Sequence, residues 1–195
     1  FHSDQEDLAL LSKTLAIGLS DTRFQDEIER LIKRLKKDKD RDLVKLETAL
    51  KIAYSKIYIN RINKPTRVAV VFPVYSGINR LKRRAEHING EDYLRVKIAQ
   101  LRDLFGANKN ISWQLIIVDD GSTDRIGELI EEILRQEYPE EYQSGQIQVK
   151  FLQKAIEENL QKKEEDRDPV LSGLRSSRDS RRGGSTVYGL SEAVK

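Results

Sequence analysis

The sequence contains no cysteine, no methionine and a single tryptophan among its 195 residues. Without cysteine there can be no disulfide, no thiolate nucleophile and no cysteine-ligated zinc. No apolar run approaches the ~18 residues of a membrane-spanning helix, and the first residues lack the apolar core of a signal peptide. A cytoplasmic setting without a membrane span is the expectation compatible with these absences. Neither a Walker lysine nor a Gly-x-Gly-x-x-Gly turn occurs, which disfavours an ATPase or a nicotinamide enzyme. An excess of one charge sign is also lacking: 35 basic and 32 acidic residues leave a net charge of +3. That balance does not make a nucleic-acid footprint across the chain, and no nucleic-acid partner is expected. The missing methionines, the start at Phe1 and a helix pattern running into Lys195 are expected either of a segment cut from a longer protein or of a sequence that has lost modified methionines.

What is present in surplus is charge. Asp, Glu, Lys and Arg make up 34% of the chain, against about 25% in typical domains, so solvated helix faces and loops must carry the excess. Residues 4–19 read as an amphipathic helix through Leu8, Leu11, Leu15 and Leu19. A second helix places Phe24, Ile28, Leu31, Ile32 and Leu35 on one face, and a third does the same with Leu43, Leu46, Leu50, Ala53 and Ile57 before Lys64–Pro65. Residues 1–65 are therefore expected to form a helical appendage, with homo-oligomerisation through these helices one use for their apolar stripes.

From Thr66 the period changes. Val68–Phe72 is a continuous apolar run, as expected of a central parallel strand covered on both faces. Residues 78–105 read as mostly helical with a break near Asn89–Gly90. Trp113–Val118 reads as a second strand, Asp124–Tyr138 as a helix capped by Ser122, Thr123 or Asp124, and Ile147–Leu152 as a third strand. Residues 157–182 are charged and aperiodic, which predicts a long mobile loop, and Gly183-Gly184-Ser185 opens a final helix. Strand, helix, strand, helix, strand predicts an α/β fold with a doubly wound, mostly parallel sheet over residues 66–195.

Two strand endings carry the chemistry. The first strand runs into Phe72-Pro73-Val74-Tyr75. Pro73 removes a ladder donor and turns the chain out of the sheet, leaving Tyr75 where its ring can stack on a nucleobase or simply pack on the next helix. The second strand runs into Asp119-Asp120-Gly121-Ser122-Thr123-Asp124. Ser122, Thr123 and Asp124 are good helix caps, and Gly121 allows a sharp turn. Capping does not explain adjacent Asp119 and Asp120, whose repulsion a base N–H, ribose hydroxyls or a metal ion would relieve. Both endings belong on the carboxyl edge of a parallel sheet, where ligands bind in open α/β folds.

These two blocks resemble the family 2 glycosyltransferases of the GT-A fold. A third block, Arg181-Arg182-Gly183-Gly184-Ser185 followed by Gly189-Leu190 and Ala193, is similar to that family's basic residue, glycines and helix after the third strand. The resemblance covers Val68–Lys195. It implies a Rossmann-like GT-A half that binds a nucleotide-diphosphate sugar, UDP- or GDP-linked, for transfer to an unknown acceptor. On that reading Pro73, Val74, Tyr75, Asp119, Asp120, Gly121 and Ser122 hold the nucleotide, and Arg182, Gly183 and Gly184 approach the diphosphate. The resemblance further implies Mg²⁺ or Mn²⁺ in the intact enzyme, held by an Asp-x-Asp that follows the last helix and falls beyond Lys195. The acceptor half with its general base falls there too, so this chain alone is expected not to turn over, and no residue is assigned a catalytic role. The alternatives are a non-catalytic binding or scaffold module with a relic α/β nucleotide fold, and a sugar-phosphate nucleotidyltransferase. The latter is disfavoured because Gly77 is the sole glycine in Tyr75–Arg84.

Overall fold

The segment Ile111–Asp119 organises the α/β part of the molecule. In the computed structural model, which describes residues 11, 12, 15, 25–35, 41–180 and 183–194, this segment is strand β2. Leu115, Ile116, Ile117 and Val118 are all fully buried. Side chains alternate across a strand, so a buried run of this kind requires cover on both faces. One face meets a cluster in which Ile116 and Val118 pack with Leu152, Ile156, Leu171 and Tyr188. On the other face, beyond Leu115 and Ile117, Asp119 packs against Gly127.

Among the described residues the sheet has the order β1–β2–β3, with β1 Thr66–Val74 and β3 Ile147–Phe151. β2 and β3 are parallel, in a register that runs from Leu115 opposite Ile147 to Asp119 opposite Phe151. β1 runs the same way: Thr66 N–H donates to Asn110 O at 2.8 Å, and Asp120 N–H donates to Val74 O at 3.0 Å. The fold is thus α/β with a small parallel sheet flanked by helices. One expectation needs correcting, because β1 is not a central strand. It lies on the sheet edge, with Arg67, Ala69 and Pro73 exposed. An apolar run shows what a strand can bury, and in a sheet of three only β2 has two neighbours.

The chain divides into two compact units, Phe1–Thr66 with Leu101–Ile111, and Arg67–Gln100 with Ser112–Lys195. In the first, helix α1 (Gln25–Leu35) packs on α2 (Arg41–Asn60). Ile28 and Leu50 are the buried centre, surrounded by Leu15, Ile32, Leu43, Leu46 and Tyr54. Each such fully buried side chain is worth about 2 kcal/mol of apolar transfer. The turn that follows α2 is held by Asn108, whose Nδ2 donates to the Ile59 and Ile62 carbonyls at 2.7 and 2.9 Å. The rest of the expected first helix, residues 4–19, falls mostly outside the described residues.

In the second unit the stretch before α3 (Tyr93–Phe105) is not helical as expected. A short 3₁₀ turn at Ile78–Leu81 gives way to turns up to Asp92. Gly90 explains the tight course: a Cβ there would stand 2.6 Å from the Arg83 carbonyl carbon. α4 spans Ile126–Glu137, short α5 spans Pro139–Gln143, and α6 spans Leu152–Gln161. α6 was not foreseen; it follows β3 directly and occupies the start of the expected mobile loop. The remainder of that loop forms three 3₁₀ turns, pinned where Asp168 N–H donates to the buried Asn159 Oδ1 at 2.7 Å. α7, Gly184–Ala193, closes the unit. No helix among the described residues is long and apolar enough to cross a membrane.

Candidate functional site

The hydrogen bond from Asp120 N–H to Val74 O sets the endings of β1 and β2 side by side. Val74 is buried, while Pro73 and Tyr75 on either side of it face solvent, Tyr75 at 66% exposure. An unpacked tyrosine held at a sheet's carboxyl edge presents a face on which a flat ligand can stack.

The two adjacent carboxylates do not face each other. Asp119 is 6% exposed, and its Oδ1 accepts the Ser122 N–H at 2.9 Å. Its Oδ2 lies where a Cβ on Gly127 would be only 2.6 Å away. Asp120 turns the other way, its Oδ2 accepting from the Ser185 hydroxyl of α7 at 3.3 Å. Strand alternation therefore separates the charges and gives each its own donor. The repulsion that had suggested a bound ligand is already relieved within the fold.

Ser122 and Asp124 do work that capping did not suggest. Ser122 Oγ accepts the Ser76 N–H at 2.9 Å. Asp124 Oδ2 accepts from Gly77 N–H at 2.7 Å and Ile78 N–H at 3.1 Å. Three successive backbone N–H groups thus converge on side chains of the second loop, the arrangement in which backbone nests bind anions. Ser76 and Gly77 both have positive φ, 49° and 99°. For a residue with a Cβ, that conformation costs about 1–2 kcal/mol. Hydrogen bonds to a charged group contribute about 1.5–3 kcal/mol each, enough to hold the turn. Asp124 Oδ1 still accepts from Ile126 N–H at 3.3 Å, so it also meets the start of α4. The helix begins at Ile126, not at Asp124, because Arg125 takes a left-handed conformation at φ 59°.

Gly121 has φ 75°, and a Cβ there would stand 2.9 Å from Ser177 Cβ. The glycine lets the loop before α7 close over the end of β2, where Ser177 N–H is held by Gln153 Oε1 at 2.9 Å. In the same loop the Asp179 carboxyl is held below the usual range by the N–H groups of Arg175 and Ser176, at 3.1 and 2.9 Å. Arg175 and Arg178 are exposed beside it. Gly183 is exposed and turns the chain into α7 with φ 117°, and Gly184 is that helix's first residue. Arg182 lies outside the described residues. Behind the β1 ending, Tyr93 meets Phe72 edge-on, ring centroids 5.7 Å apart, and burial pushes its hydroxyl up to about 12.

The metal implied by the resemblance finds no ligand set among the described residues, where no three His, Cys, Asp or Glu side chains converge. Asp119 is buried against α4 and Asp120 is turned toward α7, so the pair offers no shared coordination face. A cleft of about 400 Å³ lies elsewhere, between β3, α6 and α7, lined among others by Lys150, Lys154, Lys162, Glu158, Asp168 and Glu192. Its charges balance, and Lys150 already pairs with Glu192 at 2.8 Å. It includes none of the residues nominated from sequence.

No family model, curated protein or solved structure matches the chain. Ser185, the partner of Asp120, and Gly189, which brings α7 onto the sheet, stand in the third sequence block without an assigned role, and Gly127, the seat of Asp119, is not singled out by the sequence reading. The two glycines had a visible signal. Each interrupts a helical pattern at a cost of about 1 kcal/mol relative to alanine, which usually marks a packing need.

Proposed function

We propose that this chain carries the donor-nucleotide part of a family 2-like glycosyltransferase of the GT-A fold, with a doubly wound sheet in the intact domain. The observation that carries the reading is the convergence of three sequence-distant blocks. Tyr75 stands exposed next to Val74, Val74 bonds Asp120, and Asp120 bonds Ser185 in the first turn of α7. This is the carboxyl edge of parallel strands, where α/β folds bind ligands. On this reading a base stacks on Tyr75, and Asp120, the more open of the two acids, accepts from base or ribose. The glycine-led N-terminus of α7 favours the diphosphate through its N-terminal amides and dipole. The intact enzyme would add a metal and an acceptor whose oxygen attacks the sugar carbon and displaces the nucleoside diphosphate.

The test is calorimetric titration with UDP and GDP, with and without Mn²⁺. Stacking on an aromatic ring is worth about 1–3 kcal/mol per base, so Tyr75→Ala should weaken binding by roughly 5- to 150-fold. Asp120→Ala should weaken it by about tenfold. Equal affinities for wild type and both variants would sink the assignment. The competing reading, a binding module without catalysis, draws on the internal use of Asp119, Ser122 and Asp124, and it predicts no nucleotide binding at all.

A further inference from the structure

Within the motif Asp119–Asp124, Ser122 Oγ and Asp124 Oδ2 are spent on the neighbouring loop, not on an open cleft. Ser122 and Asp124 between them accept the N–H groups of Ser76, Gly77 and Ile78, three residues in a row directly after Tyr75. Two of those three have positive φ. Without these acceptors the three N–H groups lose their partners, and the backbone at Ser76 would relax toward the ordinary regions. Tyr75 is 66% exposed, so packing covers only a minor part of it. Its direction is set by the backbone on which it stands.

We propose that Asp124, assisted by Ser122, is a positioning residue that presets the Tyr75 loop for the nucleotide. This rests on the proposed donor site. Asp124 would contact no ligand; it acts through the backbone of Gly77 and Ile78. Releasing the clamp leaves the binding geometry populated only part of the time, and apparent affinity falls in proportion to that fraction. A loop in place about a tenth of the time gives about a tenfold loss.

The experiment combines UDP titration with amide exchange followed by NMR on the whole chain. Asp124→Ala should speed exchange at Gly77 and Ile78 and weaken UDP by about tenfold. Asp124→Asn, which keeps one oxygen acceptor, should restore most of both. Ser122→Ala should affect Ser76 and cost less, and it also serves if Asp124→Ala fails to fold. In a Tyr75→Ala background the Asp124→Ala change should cost nothing further, because the residue it positions is gone; a merely structural role would add in full. If exchange quickens while UDP affinity holds, or if exchange does not change, the positioning role is overturned and the donor site stands. If wild type binds neither UDP nor GDP, the donor site itself falls and this role with it.

Discussion

Gly189→Ala sets two effects of opposite sign against each other. Gly189 is buried in the middle of α7, and in a helix interior the change to alanine gains about 1 kcal/mol of propensity. Against that, a Cβ at this position would stand 2.9 Å from Val118 Cγ2 and would meet both methyls of Val71, the farther at 3.3 Å. Carbon atoms prefer about 3.5–4.0 Å. Rotating Val71 about χ1 still leaves a methyl at one of the two contact positions and does nothing for Val118. Val118 is fully buried within the central strand. The helix must therefore lift from the sheet, and overpacking of this kind costs about 1–3 kcal/mol. With both neighbours fixed in strands the upper end applies, so the clash wins by about 2 kcal/mol after the propensity gain. At a urea slope near 2 kcal/mol/M, the unfolding midpoint should fall by about 1 M. Trp113, the single tryptophan, lies in β2 and reports this unit by fluorescence. Thr186→Ala, on the exposed side of the same helix, isolates propensity and should raise the midpoint slightly. If Gly189→Ala proved as stable as wild type or more so, α7 could not lie directly on β1 and β2. The contact between Ser185 and Asp120 would lose its support with it.

Two further predictions concern the same unit. Gly127→Ala would bring a Cβ to 2.5 Å from Phe151 Cε1 and 2.6 Å from Asp119 Oδ2; a loss of about 1–2 kcal/mol is expected, read as a lower urea midpoint, and an unchanged midpoint would refute the seating of Asp119 against α4. Glu137 receives a two-pronged bond from Arg95, Nε to Oε2 at 2.6 Å and Nη2 to Oε1 at 2.5 Å, and the hydrogen bond from Arg95 holds its carboxyl below the usual range. A depressed folded-state value means the stabilisation is present above the unfolded value of about 4.3 and is lost as pH falls through the folded one. Glu137→Gln should therefore cost on the order of 1 kcal/mol at pH 7 for this partly exposed pair, with the two stability curves converging below about pH 4; a constant gap from pH 7 to pH 3 would contradict it.

Periodicity carried much of the secondary structure. The helix over Arg41–Asn60, the strand at Ile111–Asp119 and the helix at Ile126–Glu137 follow from apolar spacings long enough to be unambiguous. The misses share a cause. Leu152–Gln161 is a two- to three-turn helix that begins the residue after β3 ends, so its short apolar pattern, Leu152, Ala155 and Ile156, merged with the strand before it. Residues 78–92 contain enough leucine and isoleucine to read as helix, but only Leu81 among them is a buried apolar anchor. Their backbone bonds go to turns, such as Asp92 N–H to Lys82 O at 3.0 Å.

By itself the sequence determined that a parallel α/β unit would end two strands in a tyrosine and an acid pair. Strand propensity and the sharp turn at Gly121 are local properties of the chain, whereas Pro73 does not end its strand as expected: β1 runs through it to Val74, whose carbonyl still pairs with Asp120. Only the tertiary structure decided what those endings face. Asp119 and Asp120 differ by one position, yet one is buried under α4 and the other meets α7, because the pleat sends neighbours to opposite faces and different helices cover them. Asp124 reads locally as a helix cap, and it becomes the anchor of the Tyr75 loop because the sheet brings that loop's N–H groups within 2.7 and 3.1 Å. Hydrogen bonds between residues more than 40 positions apart depend on strand register and helix cover, which spacing along the chain does not encode.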